Sequence, residues 1–383
     1  MKIEVRGTEY SGWTSASATI NLDTLSNKFS FKVTSEEGKA LPFKGGEPCT
    51  VRVDGELVLT GNIEVVTVGG DGDSHTISIT GRDRTGDVVD SKIGSLSDIR
   101  PPITLTQVIE LLLVHIKSPL KVVEQTWTKA FQETEDLASP EFGQSVWDFI
   151  QGLARKRQVL LTSDAYGNIV ITRAAGEFIE ATIQNKVKSD SNNVLDYSVS
   201  YDTTGIYSIY RAAGQESPVS INDGATRSNY SIVEQISAIQ DPNIRLGRQL
   251  CVMSEKSGSH VDLTERNKWE YNIRQARSRV YSATVHGFRN QTGSLWAINK
   301  TVSVNDEFAG INARMLINSV KFSISDSGKE TVLSLVNKDS YTLELPTQTS
   351  IDQIGLKFAE TPEKGIIFVE NPDDPEDLFG PGR

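Results

Sequence analysis

The sequence predicts a mainly β chain that carries an α+β insert, and three observations predict it. First, residues 51–90 (VRVDGELVLTGNIEVVTVGGDGDSHTISITGRDRTGDVVD) hold three runs in which apolar and polar residues alternate. A period of two turns one face of each run toward a core, as in half-buried strands. Second, the pattern returns near the other end, at residues 320–339. Third, between the two stretches the apolar spacing changes to the three-and-four repeat of amphipathic helices.

Composition narrows the classes. At 383 residues the chain has room for about two to four domains. With 37% hydrophobic and 23% charged residues it reads as an ordinary globular protein. A net charge of −11 argues against a chain whose main task is gripping nucleic acid, which needs cations for the phosphates. No run approaches the ~18 apolar residues of a membrane span. The start, MKIEVRGTEY, is strand-like and lacks an apolar signal core, so the chain is expected to be made and kept in a cytoplasm unless another system exports it. Cys49 and Cys251 have no metal-binding spacing and are expected to be two buried free thiols.

Residues 1–93 form the first expected β domain. Ile3 and Val5 begin a strand, Ala16–Ile20 and Phe29–Val33 continue, and Pro42, Gly45, Gly46 and Pro48 mark a loop. Asp54-Gly55 then separates Val51 and Val53 from Leu57 and Leu59. This is a tight hairpin signal, since both central residues of that turn take positive φ. Ile63–Thr67 and Ile77–Ile79 follow, joined through the looser Gly69-Gly70-Asp71-Gly72-Asp73. Six or so short strands with frequent turns suit a barrel or a sandwich.

Residues 94–188 form an α+β domain. Pro101-Pro102 breaks the pattern, and Thr104-x-x-Gln107 is a capping box ahead of Leu105, Val108, Ile109, Leu112 and Ile116 on one helical face. Ser118-Pro119 stops that helix. A second amphipathic helix runs from about Gln144 to Lys156, and a hairpin follows at 159–172. Residues 189–345 return to strands, including 195–199 and 206–209, with an exposed loop at 214–230 and a helix at 264–279. Beyond Pro346 the pattern decays. From Glu360 to Arg383 there are seven carboxylates, four prolines and two basic residues, too little apolar surface to fold alone. Ile366, Ile367, Phe368 and Val369 are its one apolar run, suited to adding as a strand to an open sheet edge of a partner.

The two alternating stretches can be laid on each other. Ile63, Val65 and Thr67, then Ile77-Ser78-Ile79 and Arg82-Asp83, fall on Val320, Phe322 and Ile324, then Leu333-Ser334-Leu335 and Lys338-Asp339, with turns differing by one residue. Two readings stand. Any two hairpins share an alternation; the matching Ser and the basic-Asp pair point instead to an internal duplication.

Little catalytic chemistry is legible, and no metal or cofactor is expected. His75, His115, His260 and His286 are scattered, without zinc-ligand spacing. His115 ends a helix, where the dipole favours a cation. Gly69–Asp73 lacks the following helix of a phosphate loop and the distant Glu of a calcium loop, and reads as a hairpin tip. Arg82-Asp83-Arg84 is either a local ion pair stiffening a strand exit or an intersubunit pair. Arg266, Lys268, Arg274, Arg277 and Arg279 form either a solvated helix face or a contact for an acidic partner. The candidate interface residues are therefore Arg82, Asp83, Arg84, Arg274, Arg277, Ile366 and Phe368.

Several motifs, in order along residues 1–345, carry a resemblance. Gly12-Trp13-Thr14-Ser15, Thr60-Gly61-x-Ile63, Gly81-Arg82-Asp83-Arg84-Thr85-x-Asp87-Val88-Val89-Asp90, the hairpin Val159–Thr172 with Arg173-Ala174-Ala175, and Gly293-x-Leu295-Trp296 resemble the baseplate hub protein of Mu-like contractile-tailed phages. More distantly the chain is similar to the T4 hub (the late control D type of protein) and to the N-terminal half of type VI secretion spikes. The resemblance implies two tube-protein-like β-barrel domains per chain and a homotrimeric ring. Three chains would present six barrels to a six-fold tail tube or distal tube protein, and a three-fold face to the central spike, among other baseplate proteins. DNA would pass through the lumen without specific binding. A cell-wall hydrolase and a carbohydrate-binding adsorption module are the rival expectations. The segment after Pro346 lies outside the resemblance.

Overall fold

The computed structural model describes residues 1–35, 43–70, 75–96, 99–132, 137, 139–174, 176–214, 235–254, 260–341 and 367–369. The first β unit is β1 (Lys2–Val5), β2 (Thr8–Tyr10), β3 (Ser15–Asn21), β4 (Lys28–Ser35), β5 (Pro48–Val53), β6 (Glu56–Gly70) and β7 (His75–Asp83). Asp54 and Gly55 both take positive φ, 45° and 86°, and close the β5–β6 hairpin. Alternate residues point inward, so that Ile3, Phe31, Val51, Leu59 and Ile79 share one core.

The α+β unit follows: α1 (Gly86–Asp90), α2 (Leu105–His115), β8 (Val122–Glu124), α3 (Val146–Lys156), β9 (Leu160–Ser163) and β10 (Ile169–Thr172). The Thr104 capping box forms, with Gln107 N–H donating to Thr104 Oγ1 at 3.2 Å and Thr104 N–H to Gln107 Oε1 at 2.9 Å. Leu105, Val108, Ile109 and Leu112 then pack with Val146, Ile150 and Leu153 in a separate core. Strands β9 and β10 are buried at every position, so their sequences, LLTS and IVIT, do not alternate between apolar and polar.

The second β unit comprises β11 (Glu177–Asn185), β12 (Val194–Tyr201), β16 (Arg279–His286), β17 (Lys300–Asp306), β18 (Ile311–Ser325) and β19 (Gly328–Asn337). Its core includes Ala283, Val302, Met315, Ile317, Val320 and Leu333. Strand β11 pairs in parallel with β17, so the expected boundary at 188 falls inside this unit. A smaller module interrupts it: β13 (Ile209–Gly214), β14 (Gln235–Gln240), β15 (Gln249–Ser254) and α4 (His260–Ser278), with β20 (Ile367–Val369) on the β14 edge. The strand expected at 206–209 starts at its last residue, and most of the 214–230 loop lies outside the described residues.

The two long hairpins β6–β7 and β18–β19 are the same construction. Ile63 faces Gly81 and Val65 faces Thr80, with Glu64 bulged out between them. Ile317 faces Leu335 and Ser319 faces Ser334, with Asn318 bulged out. Ile63 to Ile317 and Gly81 to Leu335 are both 254 residues apart, and the offset holds to the last shared pair, Gly70–His75 against Ile324–Lys329. A one-residue bulge at one place in each hairpin is a designed kink, not a chance feature. The sequence overlay therefore had the wrong register. Val66, not Ile63, stands where Val320 does; Ile79, not Ile77, stands at Leu333; and the turns are equally long. The neighbours agree: β4 pairs with β7 as β16 pairs with β19, and β3 with β4 as β12 with β16. The chain thus carries two equivalent β units. They are joined edge to edge, because β3 of the first pairs with residues 319–324 of β18 in the second.

Candidate functional site

The charged residues that the sequence singles out lie at junctions between modules. Asp83 ends β7 and is buried, 3% exposed. Its Oδ2 accepts from Asn27 N–H at 3.1 Å and from Ser163 Oγ at 2.5 Å, and its Oδ1 from Thr85 N–H at 3.0 Å and Thr85 Oγ1 at 2.5 Å. Ser163 belongs to β9, so this carboxylate ties the first β unit to the α+β unit. Asn27 Nδ2 donates to Ser163 Oγ at 2.8 Å and Ser26 N–H to Thr85 Oγ1 at 2.8 Å, which leaves both hydroxyl protons directed at Asp83. Burial pushes the Asp83 pKa up, against the pull of those donated hydrogen bonds. Two more bonds cross the same junction: Thr162 Oγ1 to Asn21 O at 2.7 Å and Thr60 Oγ1 to Ala165 O at 2.8 Å.

Arg82 points to the other side of the strand. It forks between Glu64 Oε1 at 2.6 Å from Nε and the Asp90 carboxylate at 2.5 Å from Nη2. Those bonds push its own pKa up and hold the Asp90 carboxyl below its ordinary value. Arg84 lays its stem on the β9–β10 turn, where a side chain on Gly167 would meet it at 3.0 Å. An intersubunit role for Asp83 is thereby corrected, since all four of its bonds are internal and it is out of reach of a partner. Arg82 is likewise engaged within the chain.

The basic helix face is also met by the chain's own carboxylates. On α4, Arg266 and Arg274 pair with Glu270 at 2.7 and 3.5 Å, and Arg277 reaches Asp23 of the first β unit at 3.2 Å. Arg274 also stacks over Tyr207. Tyr341 donates to Asp23 at 3.3 Å, so α4, the β3–β4 loop and the end of the second unit meet at one carboxylate. Beneath them Leu22, Leu160, Trp269, Leu316 and Val336 form a small core drawn from every module. Between α3 and α4 a cleft is lined by Arg155, Arg266, Arg274 and Arg277 with Asp23 and Glu270.

Phe368 is on β20, opposite Ile239 of β14. The apolar run adds as a strand to a sheet edge, but that edge is in the same chain; Ile366 lies outside the described residues. His115 Nε2 accepts the Gly94 N–H at 3.2 Å, so the ring at the end of α2 also holds the loop that follows α1. Cys49 is buried, and its thiol is pushed up to about 12 by desolvation; Cys251 is exposed, contrary to expectation. No group of three metal-ligating side chains gathers among the described residues, and no described helix is long and apolar enough to cross a membrane.

Two side-by-side β units bracket an α+β insert, and this order of domains is shared with structural components of phage tails. Three family models match in order along the chain: the N-terminal domain of Mu phage baseplate assembly protein GpP-like at residues 1–83, the second domain of baseplate hub protein gp44-like at 85–173, and the fourth domain of GpP at 259–344. The baseplate hub protein gp44 of Escherichia phage Mu is 25% identical over 342 residues, covering 88% of this chain and 87% of the relative. The 43 kDa tail protein of prophage MuSo2 from Shewanella oneidensis is 29% identical, with a TM-score of 0.73 over 89% of this chain and 98% of that one. The tail protein of Neisseria meningitidis MC58 has the same fold, with a TM-score of 0.75 at 22% identity over 89% and 97% of the chains. Domain by domain along residues 1–344, the chain is thus similar to the baseplate hub proteins of Mu-like phages.

Proposed function

We propose that this hub is a symmetry adaptor without catalytic activity. Three copies form a ring at the tip of a contractile tail, seating the six-fold tail tube or distal tube protein on one side and the three-fold central spike on the other. The carrying observation is the repeat, two β units per chain with the same strand order, the same hairpin register and the same bulge. Three chains then supply six equivalent units, which reconciles a three-fold with a six-fold neighbour. The two units are joined directly through the β3–β18 seam, and the α+β insert, which lies between them in sequence, is bolted to the first through Asp83. Native mass spectrometry of assembled tails should count three copies per tail. Six copies, or a lone chain, would refute the proposal. No specific observation favours a hydrolase or a glycan-binding module.

A further inference from the structure

The cleft between α3 and α4 carries more positive charge than its own carboxylates neutralise. Four guanidiniums line it, Arg155 from α3 and Arg266, Arg274 and Arg277 from α4, against Asp23 and Glu270. Those two carboxylates are already divided. Asp23 takes Arg277 at 3.2 Å and the Tyr341 hydroxyl at 3.3 Å. Glu270 takes Arg266 at 2.7 Å, and Arg274 Nε stops 3.5 Å from its other oxygen. Among the described residues Arg155 meets no carboxylate. Its Nη2 donates at 2.6 Å to the neutral amide of Gln151, one turn back on the same helix.

Hydrogen bonding is short at the same place. The Trp269 indole N–H and Arg274 Nε–H find no acceptor among the described residues, although Trp269 is only 2% exposed. Buried donors are nearly always paired, because an unpaired one keeps its whole desolvation penalty. A missing counter-charge and a missing acceptor call for one kind of group, an oxyanion. Size and walls say which. The cleft holds about 240 Å³, below the roughly 300–1,000 Å³ of cofactor and small-molecule sites, so it admits a side chain and not a nucleotide. Every cation in it is an arginine, whose planar fork matches the two oxygens of a carboxylate. Trp147 and Ile273 give it an apolar wall, which suits an apolar residue next to that carboxylate. The net charge of −11 disfavours a nucleic-acid backbone as the occupant.

We propose that this cleft is a docking site for an acidic segment of another tail protein. One carboxylate side chain of that segment enters the cleft and takes the donors that Arg155, Arg274 and Trp269 leave unused, and an apolar neighbour packs on Trp147 and Ile273. Charge complementarity of this kind selects the partner as much as it holds it. The bound segment also ties α3, in the α+β unit, to α4, in the small module, where Gln158 Nε2 already donates to Glu265 Oε2 at 2.9 Å. The inference rests on the hub reading for its partner, and on nothing about the number of copies.

The test is photocrosslinking in assembled tails, with p-benzoylphenylalanine in place of Trp147. A crosslink should form to another tail protein, and mass spectrometry should place it beside an aspartate or glutamate with an apolar neighbour. A peptide synthesised from that segment should bind the purified full-length chain, read by fluorescence anisotropy. Replacing its carboxylates by amides, or R155Q in the chain, should each weaken binding about tenfold. R155Q should leave the melting temperature of the free chain unchanged, because there Arg155 bonds a neutral amide on its own helix; the lost affinity is then not a lost fold. Tails that contain the chain but give no crosslink, or a crosslink to DNA or to this chain itself, would overturn the site and leave the hub reading standing. Equal binding of the amide peptide, or its displacement by inorganic phosphate at the peptide's own concentration, would overturn it too. A chain that never enters tails would overturn the hub reading, and the site with it.

Discussion

Replacing Asp83 should loosen the joint between the first β unit and the α+β unit more than any single surface change. In D83A the backbone N–H groups of Asn27 and Thr85 and the hydroxyls of Ser163 and Thr85 lose their acceptor together. A buried donor left without a partner costs about 1–3 kcal/mol, and here at least two are rigid backbone groups. The buried charge is removed as well, which returns part of that cost, because burial already disfavours the ionised carboxyl more than its bonds favour it. The net expectation is about 3–4 kcal/mol for D83A. For D83N it is about 1–3 kcal/mol, since whichever oxygen becomes an amide nitrogen will face one of the two backbone N–H groups. S163A should cost about 1–2 kcal/mol, by orphaning Asn27 Nδ2 and removing one bond to Asp83. For a cooperative unit of this size each kcal/mol moves the midpoint by roughly 2–4 °C, so D83A should melt about 10 °C early. Thermal unfolding of the full chain, followed by circular dichroism, reads this directly. If D83A melts within about 2 °C of the parent, or D83A and S163A add as independent changes, the carboxylate is not the joint.

Two further outcomes follow from the same contacts. Arg82 holds Asp90 ionised below its ordinary range, so the stability this pair lends is present above the unfolded carboxyl's pKa and is lost as pH falls through and below about 4; D90N should flatten that acid slope, by no more than about 1 kcal/mol because the Asp90 carboxylate is exposed, and a larger change in urea midpoints would show that the fork does more than close a loop. A chain ending at Thr347 loses β20 but no strand of the large sheet, so hydrogen exchange should speed up at residues 238–240 and stay unchanged along the β3–β18 seam; faster exchange at that seam would show that the C-terminal segment supports the barrels as well.

The parts of the fold that local chemistry dictates were legible from the sequence: the capped helix α2, the Asp54-Gly55 turn, and the strands whose alternation reports one buried face. The elements that went unread have the opposite character. Strands β14 (QISAIQ) and β15 (QLCVMS) are short and weakly alternating, and the module they belong to is held by Tyr210 and Ile239 packing against Tyr271 of α4. The candidate site was legible as a set of residues and illegible in its use. Asp83 meets Ser163 across 80 residues and Arg277 meets Asp23 across 254, and no spacing along a chain encodes which distant partner a charge will find. Arg82-Asp83-Arg84 looks like one alternating cluster, yet adjacent residues of a strand face opposite ways. That alone sends Arg82 to Glu64 and Asp90 and Asp83 into the domain joint.

The repeat was visible but misaligned, and the cause is physical. A one-residue bulge shifts the phase of a period-two pattern, but Ile63-Glu64-Val65-Val66-Thr67-Val68 has apolar residues at both phases, so the shift is hidden. Two strands that bulge at Glu64 and Asn318 therefore look alike at several offsets, and the Ser between apolar residues chose a wrong one. Side-chain volume was redistributed across the ladder as well, which removed the identities that would have fixed the offset. In the first unit Phe29 lies over Gly81, whose missing Cβ leaves room for the ring and for the carbonyl of Asn62. At the equivalent place in the second unit Tyr281 stands opposite Leu335, and Met315 occupies the position of Gly61. An aromatic ring over glycine and two bulky neighbours side by side are alternative ways to fill one pleat. What the two units have kept is the backbone: the ladder, its kink and its edges. Those features set the β3–β18 seam between the two units, which is made by main-chain hydrogen bonds beyond the Asn318 bulge. The core had only to be full.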